Sequence, residues 1–127
     1  MATNIKATNM DLTEAIADYV NKKIEAINKF VPFGEEAIIY VEVGKTTKHH
    51  KQGDYFKAEF DVSINGEKFF TDSEKNDLYK AIDDAKDEVI KKIKNSKKRK
   101  NTLYKRGATS IKKMLKGISA RNPFTSK

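Results

Sequence analysis

The stretch from Tyr55 to Gly66 constrains the fold more than any other part of the sequence. Apolar residues occupy every second position of its first ten, namely Phe56, Ala58, Phe60, Val62 and Ile64. This period is typical of a β-strand with one buried face. Asn65-Gly66 follows at once and favours a two-residue hairpin, because both residues tolerate positive φ. A second strand over Glu67–Thr71 is therefore predicted to return beside the first.

Two strands and a helix are predicted before this hairpin. The strands cover residues 3–9, with Ile5 and Ala7 inward, and residues 37–47, where apolar residues alternate. Between them, apolar residues recur at helical spacing: Ile16, Val20, Ile24, Ile27 and Val31. Thr13 is the predicted N-cap of this helix, and Pro32 and Gly34 end it.

A long amphipathic helix is predicted after the hairpin, with Asp72 or Ser73 as its N-cap. Its apolar seam consists of Leu78, Ile82, Ala85, Val89 and Ile93. At about 100° per residue, Lys80, Lys91, Lys94 and Lys98 fall on the opposite side. The predicted order is β-α-β-β-β-α, an α+β fold with a four-stranded sheet and two helices packed on one face.

Charge is divided unequally along the chain. Residues 1–90 contain 12 basic and 18 acidic residues, whereas residues 91–127 contain 14 basic residues and none that is acidic. Seven of those basic residues lie between Lys91 and Lys100, more than a helix C-terminus needs to complement its dipole. Because a block of one sign repels itself, we predict a polyanionic partner, with nucleic acid as the first candidate.

The change of composition near residue 95 is the only boundary in the sequence. We expect an αβ domain over residues 1–100 and a basic C-terminal extension over residues 101–127. Thr109 or Ser110 can cap a short helix at 109–117, which would be marginal alone in water. We expect this segment to fold on a partner or to stay mobile without one.

Catalytic and metal-binding functions have little support in the sequence. The absence of cysteine excludes disulfides and Cys-ligated zinc. His49 and His50 are adjacent and cannot easily converge on one metal, so a solvated or phosphate-contacting loop is preferred. No nucleophile elbow, P-loop or dinucleotide fingerprint occurs. We expect no enzymatic activity, no metal and no cofactor.

Membrane association is not expected either. The first residues contain no apolar h-region, and no apolar run is long enough to span a bilayer. A soluble, cytoplasmic protein is the expectation.

Short segments of both helices resemble a known family. Asp77-Leu78-Tyr79 and Ala81-Ile82-Asp83 open the second helix, while residues 12–16 and Tyr19-Val20 open the first. With the hairpin and the basic ending, residues 4–100 resemble the ribosome hibernation-promoting factor and ribosome-associated inhibitor A family. The resemblance implies a factor that binds the small ribosomal subunit and its 16S-type rRNA. It would occupy the messenger RNA and A- and P-site transfer RNA channel, compete with both RNAs and inhibit translation during stress or starvation.

The resemblance also implies rRNA contacts on both helices. On the first helix they are Lys22, Lys23 and Lys29, which by pattern alone fit a solvated face. On the second helix Lys91, Lys92 and Lys97 match the family's basic face, whereas Glu88 and Asn95 depart from it. The predicted compensating contacts are Lys94, Lys98, Arg99 and Lys100, and Lys80 is added because it also lies opposite the seam.

The extension is interpreted as an arm along rRNA. Its predicted phosphate contacts are Lys105, Arg106, Lys112, Lys113, Lys116 and Arg121, and Tyr104 or Phe124 can stack on a base. A disordered basic tail that adds non-specific affinity is the alternative. Long members of the family carry a C-terminal dimerisation domain, but only 27 residues follow Lys100, so no stable self-dimer is expected.

Two other classes of function remain open on the residues alone. One is a general double-stranded RNA-binding or RNA-chaperone module, which also pairs a small sheet with two helices. The other is a protein-interaction module whose tail binds anions. Competition with transfer RNA for the ribosome distinguishes the hibernation factor from the general RNA binder.

Overall fold

The computed structural model describes residues 2–46 and 55–120, with side chains as far as residue 103. The elements are β1 (Ala2–Thr8), α1 (Glu14–Asn28), β2 (Ala37–Thr46), β3 (Tyr55–Ile64), β4 (Glu67–Lys75) and α2 (Leu78–Ala120). The predicted β-α-β-β-β-α fold is confirmed.

The four strands form one sheet in the order β1-β2-β3-β4. β1 and β2 pair in parallel because α1 crosses from one to the other, whereas the later pairs are antiparallel. Gly44 of β2 lies opposite Thr8 of β1. A Cβ atom at Gly44 would stand 2.9 Å from the Thr8 carbonyl oxygen, so only glycine permits this close approach of the two strands.

The turn of the hairpin and the N-cap of α1 are formed by the residues predicted from the sequence. Asn65 and Gly66 adopt φ values of 51° and 90°, which confirms the turn. The Thr13 hydroxyl accepts a hydrogen bond from the Ile16 backbone N–H at 3.2 Å and caps α1. It thereby satisfies one of the backbone donors that a helix start leaves unpaired.

The predicted start of the second helix is wrong. Asp72 and Ser73 belong to β4, because the Thr71 hydroxyl donates to the Ala85 carbonyl and the Ser73 hydroxyl to Asp84 Oδ2, both at 2.7 Å. These contacts hold the polar end of β4 against α2 and extend the strand to Lys75. Asp77 is the residue that caps α2, accepting from the N–H groups of Tyr79 and Lys80 at 2.8 and 3.3 Å.

One hydrophobic core lies between the sheet and the two helices. α1 contributes Ile16, Val20, Ile24 and Ile27, and α2 contributes its whole predicted seam. Phe60, Val41 and Ile82 are completely buried at the centre. The opposite side of the sheet is not covered within the described residues, and we call it the open face. Its members on the strands are Ala2, Asn4, Lys6, Thr8, Ile38, Tyr40, Glu42, Gly44, Thr46, Tyr55, Lys57, Glu59, Asp61, Ser63, Lys68, Phe70, Asp72 and Glu74.

The chain divides into two compact units, Met1–Ile93 and Lys94–Lys127. The helix that begins at Leu78 continues without a break to Ala120. Residues 109–117, over which a separate short helix is predicted from the sequence, are part of this long helix. The continuity fits the abundance of Lys and Arg between residues 94 and 106, since both are good helix formers. A functional boundary at residue 100 stays a prediction.

Candidate nucleic-acid interface

Two of the three lysines predicted on α1 are available at the surface. Lys22 and Lys29 are exposed, whereas Lys23 is half-buried. Lys22 lies on the side of α1 away from its buried residues, and Lys29 is the C-cap that follows the helix. Lys23 borders the buried side, which explains its lower exposure. Lys22 and Lys29 therefore have the exposure that a phosphate contact requires.

Lys23 belongs to a polar cluster that ties α1 to α2. Its Nζ lies 3.1 Å from Asp83 Oδ1 and 4.6 Å from the centroid of the Tyr19 ring. The Tyr19 hydroxyl donates to the same Asp83 oxygen at 2.7 Å. The Tyr19 ring also meets the Tyr79 ring edge-on, with 4.7 Å between centroids and 86° between planes. Lys23 thus serves the junction of the helices, and its contact with rRNA stays a prediction.

The cluster shifts the titration of two of its members. The hydrogen bond to Asp83, helped by burial, raises the pKa of Tyr19 to about 12. Burial alone would raise the pKa of Asp83, but hydrogen bonds from Tyr19 and Lys23 outweigh it and lower that pKa below its ordinary value. The cluster is therefore stable with a neutral phenol and an ionised carboxylate.

Replacing Tyr19 with Phe is expected to lower the free energy of unfolding by about 1 kcal/mol at neutral pH, because one hydrogen bond is lost. The folded-state pKa of Tyr19 lies above its unfolded value, so the contribution of the hydroxyl is complete below about pH 10. It disappears as the pH rises from there towards 12. Urea unfolding of both chains between pH 7 and 11 measures the difference.

Tyr40→Phe is the matched control for this prediction. Tyr40 is 52% exposed on the open face, so its hydroxyl should contribute little to stability at any pH. The prediction would be contradicted if the difference in the free energy of unfolding between wild type and the Tyr19→Phe variant stayed constant up to pH 11.

The predicted basic residues of α2 within the first unit differ in their surroundings. Lys80 and Lys91 are exposed on the side of α2 opposite the apolar seam. Lys92 is also exposed, but its Nζ donates to the Phe70 carbonyl in β4 at 2.8 Å. Lys92 therefore has a contact within the domain, and its predicted contact with rRNA remains untested.

The second unit begins with the densest run of positive charge that the structure describes. Lys94, Lys97, Lys98, Arg99 and Lys100 are all exposed. Residues three and four apart lie on one side of a helix, so Lys94, Lys97 and Lys98 lie on one side of this part of α2. The second unit thus presents several exposed cations that could contact phosphates.

Several predicted contacts lie outside the described side chains. Lys105, Arg106, Lys112, Lys113 and Lys116 have described backbones within α2, but their side chains and that of Tyr104 are outside the description. Arg121 and Phe124, and the pair His49-His50, are outside it altogether. Their predicted roles stay predictions.

Neither metal ligation nor a membrane span is found among the described residues. In that part of the chain, no three His, Cys, Asp or Glu side chains are grouped so that they could hold a metal. No helix there is both long enough and apolar enough to cross a membrane.

Sequence reasoning missed the residues that act through tertiary contacts. Asp77 had a readable signal, since an acidic residue just before the first apolar seam position is a common N-cap. The contacts of Lys23 with Asp83 and of Lys92 with the Phe70 carbonyl have no local signal. They depend on how separate elements pack.

Comparison with known proteins identifies relatives of this domain. Ribosome hibernation promoting factor of Azotobacter vinelandii is 29% identical over 93 residues, which are 73% of this chain and 79% of that protein. The protein of the same name from Klebsiella oxytoca is 26% identical over 97 residues, 76% of this chain and 94% of that one. Ribosome hibernation promotion factor of Lactococcus lactis subsp. cremoris is 26% identical over 98 residues, 77% of this chain but only 50% of its own length.

Solved structures share the fold. The crystal structure of the Thermus thermophilus Protein Y N-terminal domain superposes with a TM-score of 0.63 at 28% identity, covering 75% of this chain and 98% of that one. A ribosomal subunit interface protein from Coxiella burnetii gives a TM-score of 0.61 over 76% of this chain and 98% of its own. At 15% identity, that second likeness is one of fold alone.

The resemblance inferred from the two helices and the hairpin is confirmed by a family match. The sequence profile described as Sigma 54 modulation protein / S30EA ribosomal protein matches residues 3–101, from the second residue of β1 into α2. The chain belongs to the Sigma 54 modulation protein / S30EA ribosomal protein family.

Proposed function

We propose that this protein is a non-enzymatic ribosome hibernation factor. It binds the small ribosomal subunit in the channel used by messenger RNA and by the A- and P-site transfer RNAs, and it inhibits translation by occupying that channel. The observation that carries the proposal is the exposure of the α2 lysines in both units, Lys91 in the first and Lys94 and Lys98 in the second, in a chain of this family.

Charge and shape are sufficient for such binding. Lysines that neutralise phosphates release condensed counterions, which favours binding without any reading of bases. Proteins recognise double-stranded RNA mainly by shape and by contacts with phosphates and 2′-hydroxyls. A helix with exposed lysines suits this kind of recognition, because the regular backbone keeps neighbouring side chains on one side of the helix.

The junction of the two helices supports the proposal by fixing the binding surface. Tyr19 and Lys23 of α1 meet Asp83 of α2 through a hydrogen bond of 2.7 Å and an ion pair of 3.1 Å. Lysines on α1 and on the first part of α2 are therefore held on one rigid body. Rigid presentation lowers the entropy that is lost when a surface binds.

Acidic residues limit where RNA can lie on α2. Asp87 and Glu88 are exposed on the first half of the helix, and Asp87 is paired with Lys86 at 2.6 Å. These carboxylates repel phosphates, whereas no carboxylate follows Lys91 in the sequence. Most RNA contacts on α2 therefore belong to the part of the helix from Lys91 onward, and Lys80 is the one proposed contact before these carboxylates.

The names of the relatives point in the same direction. Those from Azotobacter vinelandii and Klebsiella oxytoca are ribosome hibernation promoting factors. This chain spans most of the length of both, so we extend ribosome binding and hibernation to it as part of the proposal.

Co-sedimentation with purified ribosomes tests the proposal. We expect saturable binding near one copy per small subunit, and displacement by initiator transfer RNA. Unsaturable binding that disappears at moderate salt, with equal binding to naked RNA duplexes, would instead indicate a general RNA-binding module. Binding that transfer RNA does not displace would place the protein elsewhere on the ribosome.

Neutralising the extension is expected to weaken binding and to reduce its salt dependence. The variant replaces Lys105, Arg106, Lys112, Lys113, Lys116 and Arg121 with Gln. Each lost phosphate contact lowers the slope of log affinity against log salt by about 0.9, so six lost contacts give a fall of about five. Co-sedimentation from 50 to about 300 mM salt measures the slope.

The control for the extension variant is the pair Lys6→Gln and Lys68→Gln. Both lysines are exposed on the open face, away from the proposed RNA surface, and their loss should leave the slope nearly unchanged. An extension variant with the wild-type slope would show that these six residues make no phosphate contacts.

A further inference from the structure

The open face combines exposed aromatic rings with carboxylates. In the register of the sheet, Tyr40 lies opposite Asp61, and Asp61 lies opposite Phe70. Tyr40 is 52% and Phe70 48% exposed. Tyr40, Asp61 and Phe70 therefore form one row across β2, β3 and β4. Asp61 is also exposed and lies between the two rings. Two half-exposed aromatic rings therefore flank one exposed carboxylate on this face.

The same part of the sheet is concave. A depression of about 260 Å³ is lined by Lys6, Tyr40, Val41, Glu42, Glu59, Asp61 and Phe70. A second, of about 300 Å³, shares Glu42 and Glu59 with the first and continues towards the end of β2. The two therefore adjoin and form one groove that runs along the strands. Its size suits a few side chains of an extended peptide rather than a folded helix.

Negative charge dominates the open face. The open-face positions of the four strands carry five carboxylates and three lysines. The carboxylates are Glu42, Glu59, Asp61, Asp72 and Glu74, and the lysines are Lys6, Lys57 and Lys68. Their effect is visible at Lys57, whose Nζ lies 3.0 Å from Glu59 and 3.7 Å from Asp72. The hydrogen bond to Glu59 is the main cause that raises the pKa of Lys57. The groove thus favours cations.

We propose that the open face binds an extended, arginine- or lysine-rich segment of a partner protein. A guanidinium group can lie over the ring of Tyr40 or Phe70 while it pairs with Asp61 or Glu42. In an extended segment, every second side chain points to the same side. A peptide that lies parallel to the strands would therefore space these side chains as the open-face residues of a strand are spaced. Nucleic acid fits this groove poorly, because the four carboxylates that line it outnumber its three lysines and repel phosphates.

The inference goes beyond the proposed ribosomal function, which uses the opposite layer of the domain. If the helices do lie against rRNA, the acidic open face is surrounded by a polyanionic environment. A basic protein segment on this face would offset that repulsion. The two proposals rest on different residues, and one can fail without the other.

A titration with a defined peptide tests the inference. The probe is a ten-residue peptide of alternating Arg and Gly with blocked ends, added to the full-length, ¹⁵N-labelled chain. We expect saturable shifts of amide signals in β1 to β4 at open-face positions, and none with the Glu-Gly counterpart. The solution contains no RNA, so failure of the ribosomal proposal would not affect the result.

Paired variants assign the contacts. Glu42→Gln with Asp61→Asn should weaken peptide binding about fivefold, as expected for the loss of two exposed charge pairs. Gln at position 42 can still accept the hydrogen bond that Thr8 donates at 2.8 Å, so the fold is retained. Asp18→Asn with Glu25→Gln removes the same charge from exposed positions of α1 and should leave the affinity unchanged. Tyr40→Thr should cost about threefold through the lost ring contact.

Three results would overturn the inference. If the open-face pair and the α1 pair of substitutions weakened peptide binding equally, the binding would reflect only general attraction between opposite charges. Shifts confined to the helices would place the peptide on the other layer. Self-association of the chain without peptide, abolished by Glu42→Gln with Asp61→Asn, would make a second copy of this chain the occupant.

Discussion

Replacing Lys91, Lys94 and Lys98 with Glu is expected to abolish binding to the small ribosomal subunit at physiological salt. All three side chains are exposed on α2, so the substitutions reverse the charge of the proposed contact residues without disturbing the core. Loss of three phosphate contacts alone lowers the slope of log affinity against log salt by about three. The new carboxylates add repulsion from the phosphates. Co-sedimentation over a range of salt concentrations measures both effects.

The matched control places Arg at the same three positions. Arg keeps the positive charge and binds phosphate well, so this variant should bind ribosomes at least as tightly as the wild type. Thermal unfolding of both triple variants should resemble that of the wild type. Full binding by the Glu variant at physiological salt would mean that these three lysines do not contact the ribosome.

Replacing Phe60 with Ala is expected to lower the free energy of unfolding by about 3 to 5 kcal/mol. Phe60 is completely buried at the centre of β3, between Val41 on β2 and Thr71 on β4. Removal of the ring leaves a cavity beneath both helices that a rigid sheet cannot easily close. Urea unfolding at neutral pH measures the loss.

Phe70→Ala is the control for this core substitution. Phe70 is 48% exposed on the open face, so its loss should cost about 1 kcal/mol or less. A similar cost for both variants would show that the open face is covered in solution. A cost under about 1 kcal/mol for Phe60→Ala would mean that the two faces of the sheet had been exchanged.

Much of the fold could be predicted because its signals are local. The alternation from Phe56 to Ile64 determines which side of β3 is buried, and Asn65-Gly66 marks the turn. Thr13 and the helical spacing after it define the start and the inner side of α1. In each case neighbouring residues supply the physical cause, so the structure agrees with the prediction.

The extent of β4 could not be predicted in the same way. Ser73 and Asp72 resemble a helix cap in sequence, since short polar residues favour that position. The Thr71 and Ser73 hydroxyls are instead held by Ala85 and Asp84 of α2. β4 therefore extends beyond the residues that its apolar pattern predicts. The reason is that α2, an element later in the sequence, provides hydrogen-bond acceptors for the hydroxyl groups at the end of the strand.

The candidate site shows the same division. The exposure of Lys80 and Lys91 follows from the helical period of the seam, and their placement was predicted correctly. The contacts of Lys23 depend on Asp83, which belongs to another helix. The row formed by Tyr40, Asp61 and Phe70 requires the register of three strands, which no single strand reveals.

The hydrogen bond from Lys92 to the Phe70 carbonyl has a consequence for solubility. β4 is an edge strand, and an edge strand can act as a template on which another chain adds a strand and begins to aggregate. At 2.8 Å from the Phe70 oxygen, the ammonium group occupies an acceptor of that edge and adds a positive charge beside it. A chain that approached β4 would have to displace this cation, so Lys92 makes the edge a poor starting point for aggregation.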